Sequence, residues 1–439
     1  MFGYAIVFFP FIYPFLPSRT KSKQISPFSD SASQNPYIGK SDKKGEKQDT
    51  PLIRQSRNFA AMKDLTITKV TTKRQMDDFV KMAEELYRYC PCYVPDLRMD
   101  VRNTFNPRKN PGLEFTDVQP FIAYDGKGKP VGRIAAIINH RANEKWNTRN
   151  VRFGYFDFVD DTDVSAALLD AVAQWGHERG MDTIQGPMGI TDFDKEGMLL
   201  TDFHRMGSMN TLYNFPYYPR HMEAHGYEKE VDWVQVRIDI PQEVPKKYAR
   251  VARLAKEMFH LKVKKLTHKD VTRSDYGQRI FRLLNEAYAP IFGFSALSDK
   301  QIDTFVSQYL YLVDKDLVCV VENEAQEVVG VAISMCSLSK AMRKAKGKLF
   351  PFGWFHLLKA LKWKPEDNAE MLLIAVRPDH QMLGVNAIFF DELIPIYNRH
   401  GIRWAETGPQ LETNTRELTQ WKPLNPTFTK QRRCYKKRI

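Results

Sequence analysis

A sequence pattern that occurs twice in the chain limits the fold more strictly than any other feature. Residues 178–187 and residues 399–409 each contain the end of a helical pattern at a glycine, then one short strand pattern, then Gly-Pro. A glycine at this position is typical of a helix C-terminus, where it adopts a left-handed conformation. Since self-similarity within a chain indicates a repeated structural unit, the sequence predicts two copies of one fold.

Hydrophobic periodicity predicts the same order of elements in each copy. The first copy has strand 65–70, helix 73–89, strands 120–124, 130–139 and 152–159, helix 164–179 and strand 183–185. The second copy has strand 261–266, helix 276–289, strands 317–322, 328–334 and 371–376, helix 387–399 and strand 402–407. This order predicts an α/β fold with a mixed sheet in each copy, and domains at 62–240 and 241–439.

The second copy contains a strand, a turn and a helix in an order suited to binding phosphate. The apolar run 371–376 predicts a buried strand, and a turn with Gly384 leads from it into the helix. Such a turn presents free backbone N–H groups at a helix N-terminus, where a pyrophosphate can bind. An ordinary turn of an α/β core is the alternative interpretation.

The corresponding turn of the first copy has the opposite character. Residues 159–163 contain three aspartates and no glycine, and their negative charge would repel a pyrophosphate. The second copy is therefore predicted to bind the ligand, and the first copy is predicted to be degenerate.

The segment 381–386, Gln-Met-Leu-Gly-Val-Asn, resembles the Gln/Arg-x-x-Gly-x-Gly/Ala loop with which GCN5-related N-acetyltransferases (GNAT proteins) bind coenzyme A. It departs from that loop at Asn386, where Gly or Ala is usual. The order of elements in both copies is also similar to the GNAT fold. The resemblance covers most of residues 62–439 and implies two tandem GNAT-like acyl-CoA N-acyltransferase folds.

The resemblance also implies site residues. The cofactor-binding positions that it indicates are Ile374, Val376, Gln381, Met382, Leu383, Gly384, Val385, Asn386 and Asn414. A tyrosine that often protonates the leaving thiolate in GNAT enzymes is replaced here by Trp421, which puts that role in doubt. Glu406 and Glu412 are the remaining candidates for the base, and Tyr435 is the candidate proton donor. Glu412 has a helix-capping or ion-pairing role as its alternative.

Two functions follow from the resemblance. The first is an acyl-CoA-dependent N-acyltransferase, with acyl-CoA as a cosubstrate rather than a bound cofactor and a primary amine as acceptor. The chain is similar to large bacterial tandem GNAT proteins, whose relatives include bacterial ceramide synthases, so a sphingoid-type lipid amine is a candidate acceptor. The alternative is an inactive GNAT-fold protein that binds CoA or a partner.

The net charge of +13 is concentrated in two segments without acidic residues, 340–364 and 430–439. Such clusters indicate anionic partners: CoA phosphates, a lipid surface or, least supported, nucleic acid. Segment 349–364 is apolar, aromatic and lysine-rich, as expected of a helix that lies on an anionic bilayer, although a packed helical insertion fits equally well. We expect a cytoplasmic protein, with a peripheral location on the inner face of the cytoplasmic membrane as the alternative.

Three further features of the sequence lead to predictions. Residues 1–61 are expected to be disordered. They are either an upstream translation artefact, with Met62 as the true start, or a short membrane-associating tail. The five cysteines show no zinc-like spacing, so no metal site is predicted and a reducing cytosol is favoured. Residues 191–233 are rich in Tyr, His and Phe, and either line a substrate cleft or form an aromatic-packed connector.

Overall fold

The computed structural model describes residues 64–267, 269–270, 274–307 and 313–439. The predicted extension 1–61 lies outside the described residues. Among those described, no helix is both long enough and apolar enough to cross a bilayer.

The N-terminal half follows the order expected from the repeat. Its strands are β1 (Thr66–Lys69), β2 (Thr116–Tyr124), β3 (Pro130–Asn139), β4 (Asn150–Phe158), β5 (Thr183–Gly186), β6 (Met198–Leu199) and β7 (Glu228–Asp239). Its helices are α1 (Lys73–Leu86), α2 (Arg98–Thr104), α3 (His140–Trp146), α4 (Thr162–His177) and α5 (Tyr217–Ala224). Helix α1 begins at a capping box formed by Thr72 and Gln75.

The C-terminal half repeats this order with two insertions. Its strands are β8 (Lys262–Lys264), β9 (Val318–Glu322), β10 (Val328–Cys336), β11 (Asn368–Val376), β12 (Trp404–Thr407), β13 (Gln410–Leu411) and β14 (Thr427–Arg438). Its helices are α6 (Lys246–Met258), α7 (Tyr276–Ala287), α8 (Asp299–Phe305), α9 (Ser339–Ala345), α10 (Gly353–Lys362), α11 (Val385–Arg399) and α12 (Thr415–Gln420). The predictions for the central strands and for α4 and α11 are confirmed within two residues at most termini, whereas β7 and β14 were not predicted.

The two halves share one continuous sheet because they exchange their last strands. Across the described residues the strand order is β1-β2-β3-β4-β5-β14-β7-β12-β11-β10-β9-β8. Strand β14, from the C-terminal half, pairs with β5 of the N-terminal half, and β7 pairs with β12 in return. The two exchanged strands also pair with each other, from Thr427 opposite Arg237 to Lys436 opposite Glu228.

The basic segment 430–439 therefore forms most of a central strand, and the prediction that its charges serve an anionic partner is not supported. Lys430 is 3% exposed and donates to the Glu406 carboxylate at 2.7 Å. Arg432 is 1% exposed and donates to the Gln235 side chain and to the Leu212 carbonyl. Arg433 donates to both oxygens of Asp232. Lys430 and Arg433 are therefore paired with carboxylates of the protein, and Arg432 is hydrogen-bonded to neutral carbonyl groups.

Helices cover both faces of the C-terminal sheet. On one face, α6 and α11 pack against β9, β10 and β12. On the other face, α7 and α10 pack against β10 and β11. Because both faces are covered, strands such as β10 consist of nearly continuous apolar residues.

The segment 349–364 combines buried aliphatic residues with exposed aromatic ones. Leu357 and Leu358 of α10 are buried in the core, so the segment is a packed insertion. Its other side carries four exposed aromatic rings, which we call the aromatic patch: Phe350, Phe352, Phe355 and Trp363.

The exchanged strands lead to a stability prediction. Lys430→Ala leaves the Glu406 carboxylate buried with its cationic partner removed, so we expect the free energy of unfolding to fall by about 3–5 kcal/mol. Arg149→Ala breaks an exposed ion pair with Asp182, so it should change the free energy of unfolding by less than about 1 kcal/mol. Urea unfolding of both variants measures the difference. Equal, small effects would contradict a structural role for the Lys430 pair.

Candidate active site

A gap between two parallel strands is the central feature of the C-terminal half. Strands β11 and β12 pair from Asn368 opposite Trp404 to Met371 opposite Thr407. Beyond this point β11 continues beside β10. The segment that follows β12 turns at Gly408 and pairs with β7 instead. The two strands therefore diverge, and a cavity of about 160 Å³ lies between them.

The cavity is lined by residues from both faces of the sheet. On the α11 face it is lined by Phe389, Leu393, Asn414, Glu417 and Trp421. On the α7 face it is lined by Tyr288, Phe292, Asp192 and Glu196. It therefore connects two faces that the sheet otherwise separates. Its volume is about that of an apolar cavity that holds one benzene ring, so it has room for a reacting group but not for a whole lipid.

Glu417 is the carboxyl group at the α11 end of the cavity. It accepts hydrogen bonds from the Gln410 side chain at 2.8 Å and from the Asn414 side chain at 3.0 Å. Burial raises its pKa to about 7, although the Gln410 hydrogen bond opposes the shift. A carboxyl group with a pKa near neutrality can both give and take a proton at physiological pH.

The N-terminus of α11 is open, as the sequence predicted. Gly384 precedes the helix with φ of 86°, and it has no side chain to cap it. In the described part of the chain, the backbone N–H groups of Gly384, Val385 and Asn386 have no protein acceptor. Met382, also at positive φ, is 87% exposed beside them. The turn is thus a concave set of N–H groups that suits an anion.

The N-terminus of α4, in the other half, is closed. The Asp161 carboxylate accepts hydrogen bonds from the N–H groups of Asp163 and Val164. The neighbouring Asp160 lies 2.9 Å from the ring of His221. The protein's own carboxylate therefore occupies the position that an anion would take.

Gly384 also has a packing role. A Cβ atom at this position would lie 2.9 Å from a methyl group of Val251 and 3.1 Å from the Ala255 Cβ on α6. Its positive φ adds strain for any other residue. The glycine is therefore required by the fold whether or not a ligand binds.

The other predicted cofactor-binding residues lie along the same path. Ile374 lines the cavity, and its carbonyl accepts a hydrogen bond from the Tyr288 hydroxyl at 3.0 Å. The Gln381 side chain donates to the Val376 carbonyl at 3.3 Å. The remaining loop residue, Leu383, closes the turn with a hydrogen bond to the His380 carbonyl.

Asn414 and Trp421 both line the cavity, and both are already hydrogen-bonded. Asn414 is the N-cap of α12 and accepts a hydrogen bond from the Glu417 N–H. The Trp421 indole donates to the Gln410 side chain at 3.0 Å. Trp421 therefore helps to orient Gln410, the residue that in turn holds Glu417.

The structure places the three predicted catalytic residues outside the cavity lining. Glu406 is paired with Lys430 in the sheet. Glu412 lies 2.5 Å from the Lys229 ammonium at the protein surface. Tyr435 is buried in the N-terminal core, and burial raises its pKa to about 12. Their catalytic roles remain predictions, and the cavity presents other groups.

Four residues of the cavity were missed by the sequence analysis: Asp192, Glu196, Tyr288 and Glu417. Glu417 follows Asn414 at the spacing of a capping box, which is the signal that could have drawn attention to it. Asp192 and Glu196 lie in the segment 191–233, whose aromatic residues pack mainly around Tyr87 and Phe158 in the N-terminal half. That segment is thus an aromatic-packed connector that also contributes to the cavity.

Two sheet units with diverging parallel strands, an open helix N-terminus in one of them and exchanged last strands define a tandem GNAT fold. A solved tandem GNAT protein from the clavulanic acid biosynthesis pathway superposes with a TM-score of 0.51, at 10% identity, over 85% of this chain and 98% of its own. The search against family models found no match.

Two curated proteins are similar to this chain over nearly their whole length. Protein YghO of Escherichia coli is 26% identical over 377 residues, which are 84% of this chain and 94% of YghO. The bacterial ceramide synthase of Caulobacter vibrioides is 26% identical over 394 residues, which are 86% of this chain and 98% of that enzyme. Fold and similarity together support a function of the acyltransferase kind.

The raised pKa of Glu417 predicts a dependence of stability on pH. Below its ordinary pKa of 4.5 the group is protonated in both the folded and the unfolded chain. As pH rises toward 7 the unfolded chain loses this proton first, so the contribution of Glu417 to stability decreases. Glu417→Gln, which imitates the protonated form, should be more stable than the wild type at pH 8 by on the order of 1–3 kcal/mol.

Urea unfolding at pH 4.5 and pH 8 tests this, with Glu412→Gln as the control outside the cavity. A Glu417→Gln variant that is less stable than the wild type at both pH values would show that the carboxylate is the form the fold prefers.

Proposed function

We propose that the protein is an acyl-CoA-dependent N-acyltransferase whose thioester binds in the C-terminal half. The observation that carries the proposal is the cavity between the diverging strands, which extends from Glu417 on one face of the sheet to Asp192 and Glu196 on the other. A transferase for two substrates needs such a passage, because donor and acceptor must reach one point from different directions.

The donor would lie along the α11 face. Its pyrophosphate would accept hydrogen bonds from the N–H groups of the turn 382–386, and its pantetheine arm would follow β11 from Val376 toward Leu372. The thioester would then lie in the cavity beside Glu417. The closed N-terminus of α4 explains why the donor would bind in one half only.

Glu417 would supply the proton that the leaving sulfur needs. When the amine nitrogen bonds to the thioester carbon, the C–S bond breaks and a thiolate leaves. A thiol has an ordinary pKa near 8.5, so proton transfer from a carboxyl with a pKa of about 7 to the thiolate is favourable. This replaces the role for which Trp421 is chemically unsuited.

The acceptor is proposed to be a lipid amine, by analogy with the similar ceramide synthase. The aromatic patch supports this, because α10 packs in the same core as Phe294 and Leu372 at the acceptor end of the cavity. Lys359, Lys362 and Lys364 are exposed around it. Exposed aromatic rings among lysines suit an anionic bilayer surface, which would make the protein peripheral on the cytoplasmic side.

A charge placed in the turn tests the donor site. Met382→Asp introduces a carboxylate at an exposed position with φ of 68°, which Asp and Asn both tolerate. We expect acetyl-CoA and palmitoyl-CoA to bind roughly tenfold or more weakly, because the charge repels their phosphates. Met382→Asn has the same shape without the charge and should bind as the wild type does.

Calorimetric titration of the three proteins measures these affinities. Equal binding by Met382→Asp and the wild type would place the donor elsewhere. If the wild type binds neither acetyl-CoA nor palmitoyl-CoA, the proposed acyltransferase activity is contradicted. The protein would then be a GNAT-fold protein that does not use this donor. Stronger binding of palmitoyl-CoA than of acetyl-CoA would indicate a long-chain donor.

Membrane binding is a separate prediction. The double variant Phe352→Gln and Trp363→Gln changes side chains that are 72% and 59% exposed, so the fold should be retained. We expect it to lose most of the co-sedimentation of the wild type with phosphatidylglycerol vesicles. Tyr89→Gln, which changes a 77% exposed ring on the other half, should bind as the wild type does. Vesicle binding that is unaffected by the double variant would contradict the proposed surface.

A further inference from the structure

Two carboxyl groups of the N-terminal half line the cavity of the C-terminal half. Asp192 and Glu196 lie in the loop after β5, and this loop reaches across to the α7 face of the cavity. Ser295, beyond α7, donates its N–H to one Asp192 oxygen at 3.0 Å. Arg152 donates to the Gly293 carbonyl at 2.9 Å and fixes the same contact between the halves.

Each of the two carboxyl groups has one oxygen that the protein leaves without a hydrogen-bond partner in the described part of the chain. Among the described residues, the second oxygen of Asp192 and one oxygen of Glu196 are buried without a hydrogen-bond partner. Arg152 donates to the backbone carbonyls of Gly189 and Gly293. Burial raises the pKa of both carboxyls, that of Glu196 strongly, although the positive charge of Arg152 opposes the shift.

Aromatic rings complete this end of the cavity. Trp233 and Phe292 meet edge to face with their ring centres 6.2 Å apart, and Tyr288 lines the same wall. Ring faces attract cations, and unpaired buried carboxylates need a donor. A cationic nitrogen with several N–H donors would satisfy both requirements, whereas an anion or a neutral alcohol would not.

We propose that Asp192 and Glu196 form the binding site for the ammonium group of the acceptor, so that the N-terminal half supplies the acceptor side of a site whose donor side lies in the C-terminal half. This inference rests on the proposed function and adds to it the residues and charge state by which the acceptor is recognised. It gives the degenerate copy a role in the reaction.

The same pair would prepare the amine for attack. The ammonium passes one proton to a carboxylate, and the neutral nitrogen then bonds to the thioester carbon as the C–S bond breaks. Glu417 protonates the sulfur, and the second proton lost from nitrogen returns to Glu417 through solvent. The sum is one amide, one thiol and one released proton. A raised pKa makes the carboxylate a stronger base for the first step.

Binding of octylamine, measured by calorimetry on the full chain without acyl-CoA, tests the proposal. We expect Asp192→Asn and Glu196→Gln each to weaken octylamine binding roughly 10- to 100-fold, the range for one hydrogen bond to a charged group. Neither should alter acyl-CoA binding, which keeps this test separate from that of the donor site. 1-Octanol should bind the wild type more weakly than octylamine does.

Asp100→Asn is the matched control. Asp100 is also a buried carboxyl of the N-terminal half without hydrogen-bond partners for its oxygens in the described residues, and burial raises its pKa, but it lines a different cavity. It should leave octylamine binding unchanged. Three results would each overturn the proposal: equal octylamine binding by all four proteins, equal binding of octanol and octylamine by the wild type, or no octylamine binding by the wild type. The carboxyl groups would then be a site for a structural water.

Discussion

The pairing of β7 with β14 is the interaction on which the rest of the structure depends. Each strand ends one half of the chain and completes the sheet of the other, so neither half has a complete sheet by itself. The backbone hydrogen bonds are supplemented by buried charges, of which Lys430 with Glu406 is the most enclosed. Breaking a buried pair leaves an uncompensated charge, so this pair favours the register in which the two exchanged strands are paired.

That register sets the geometry of the cavity. Arg432, on the exchanged strand, donates to the carbonyl of Gly197, the residue next to Glu196. A Cβ on Gly197 would lie 2.9 Å from the Arg432 Cβ, so the loop lies directly on β14. The strand that closes the N-terminal sheet therefore also holds the loop against the cavity of the C-terminal half. The lining of the cavity by residues of both halves depends on this contact.

The sequence was most informative where local patterns determine structure. The repeat, the strand 371–376 and the open turn at Gly384 follow from periodicity and from glycine stereochemistry, and the structure contains all three. Strand β14 could not be recognised, because its inward residues include Lys430 and Arg432, whose partners come from distant segments. Glu417 was missed for a similar reason, since its raised pKa results from the packing of α12 against the cavity and not from its neighbours in sequence.

The two corresponding helix N-termini differ in whether they could accept an anion. In α4 the turn is closed by Asp161, so a phosphate has neither free N–H groups nor a favourable potential there. Under the proposed function the N-terminal copy binds no donor, and its loop after β5 extends toward the cavity of the other copy. One oxygen of each carboxyl on that loop has no hydrogen-bond partner among the described residues, although burying a polar atom without a partner is unfavourable. Under the proposed function the acceptor would supply the missing donor, and the N-terminal copy would then contribute carboxyl groups to the shared cavity as well as the strand that it exchanges.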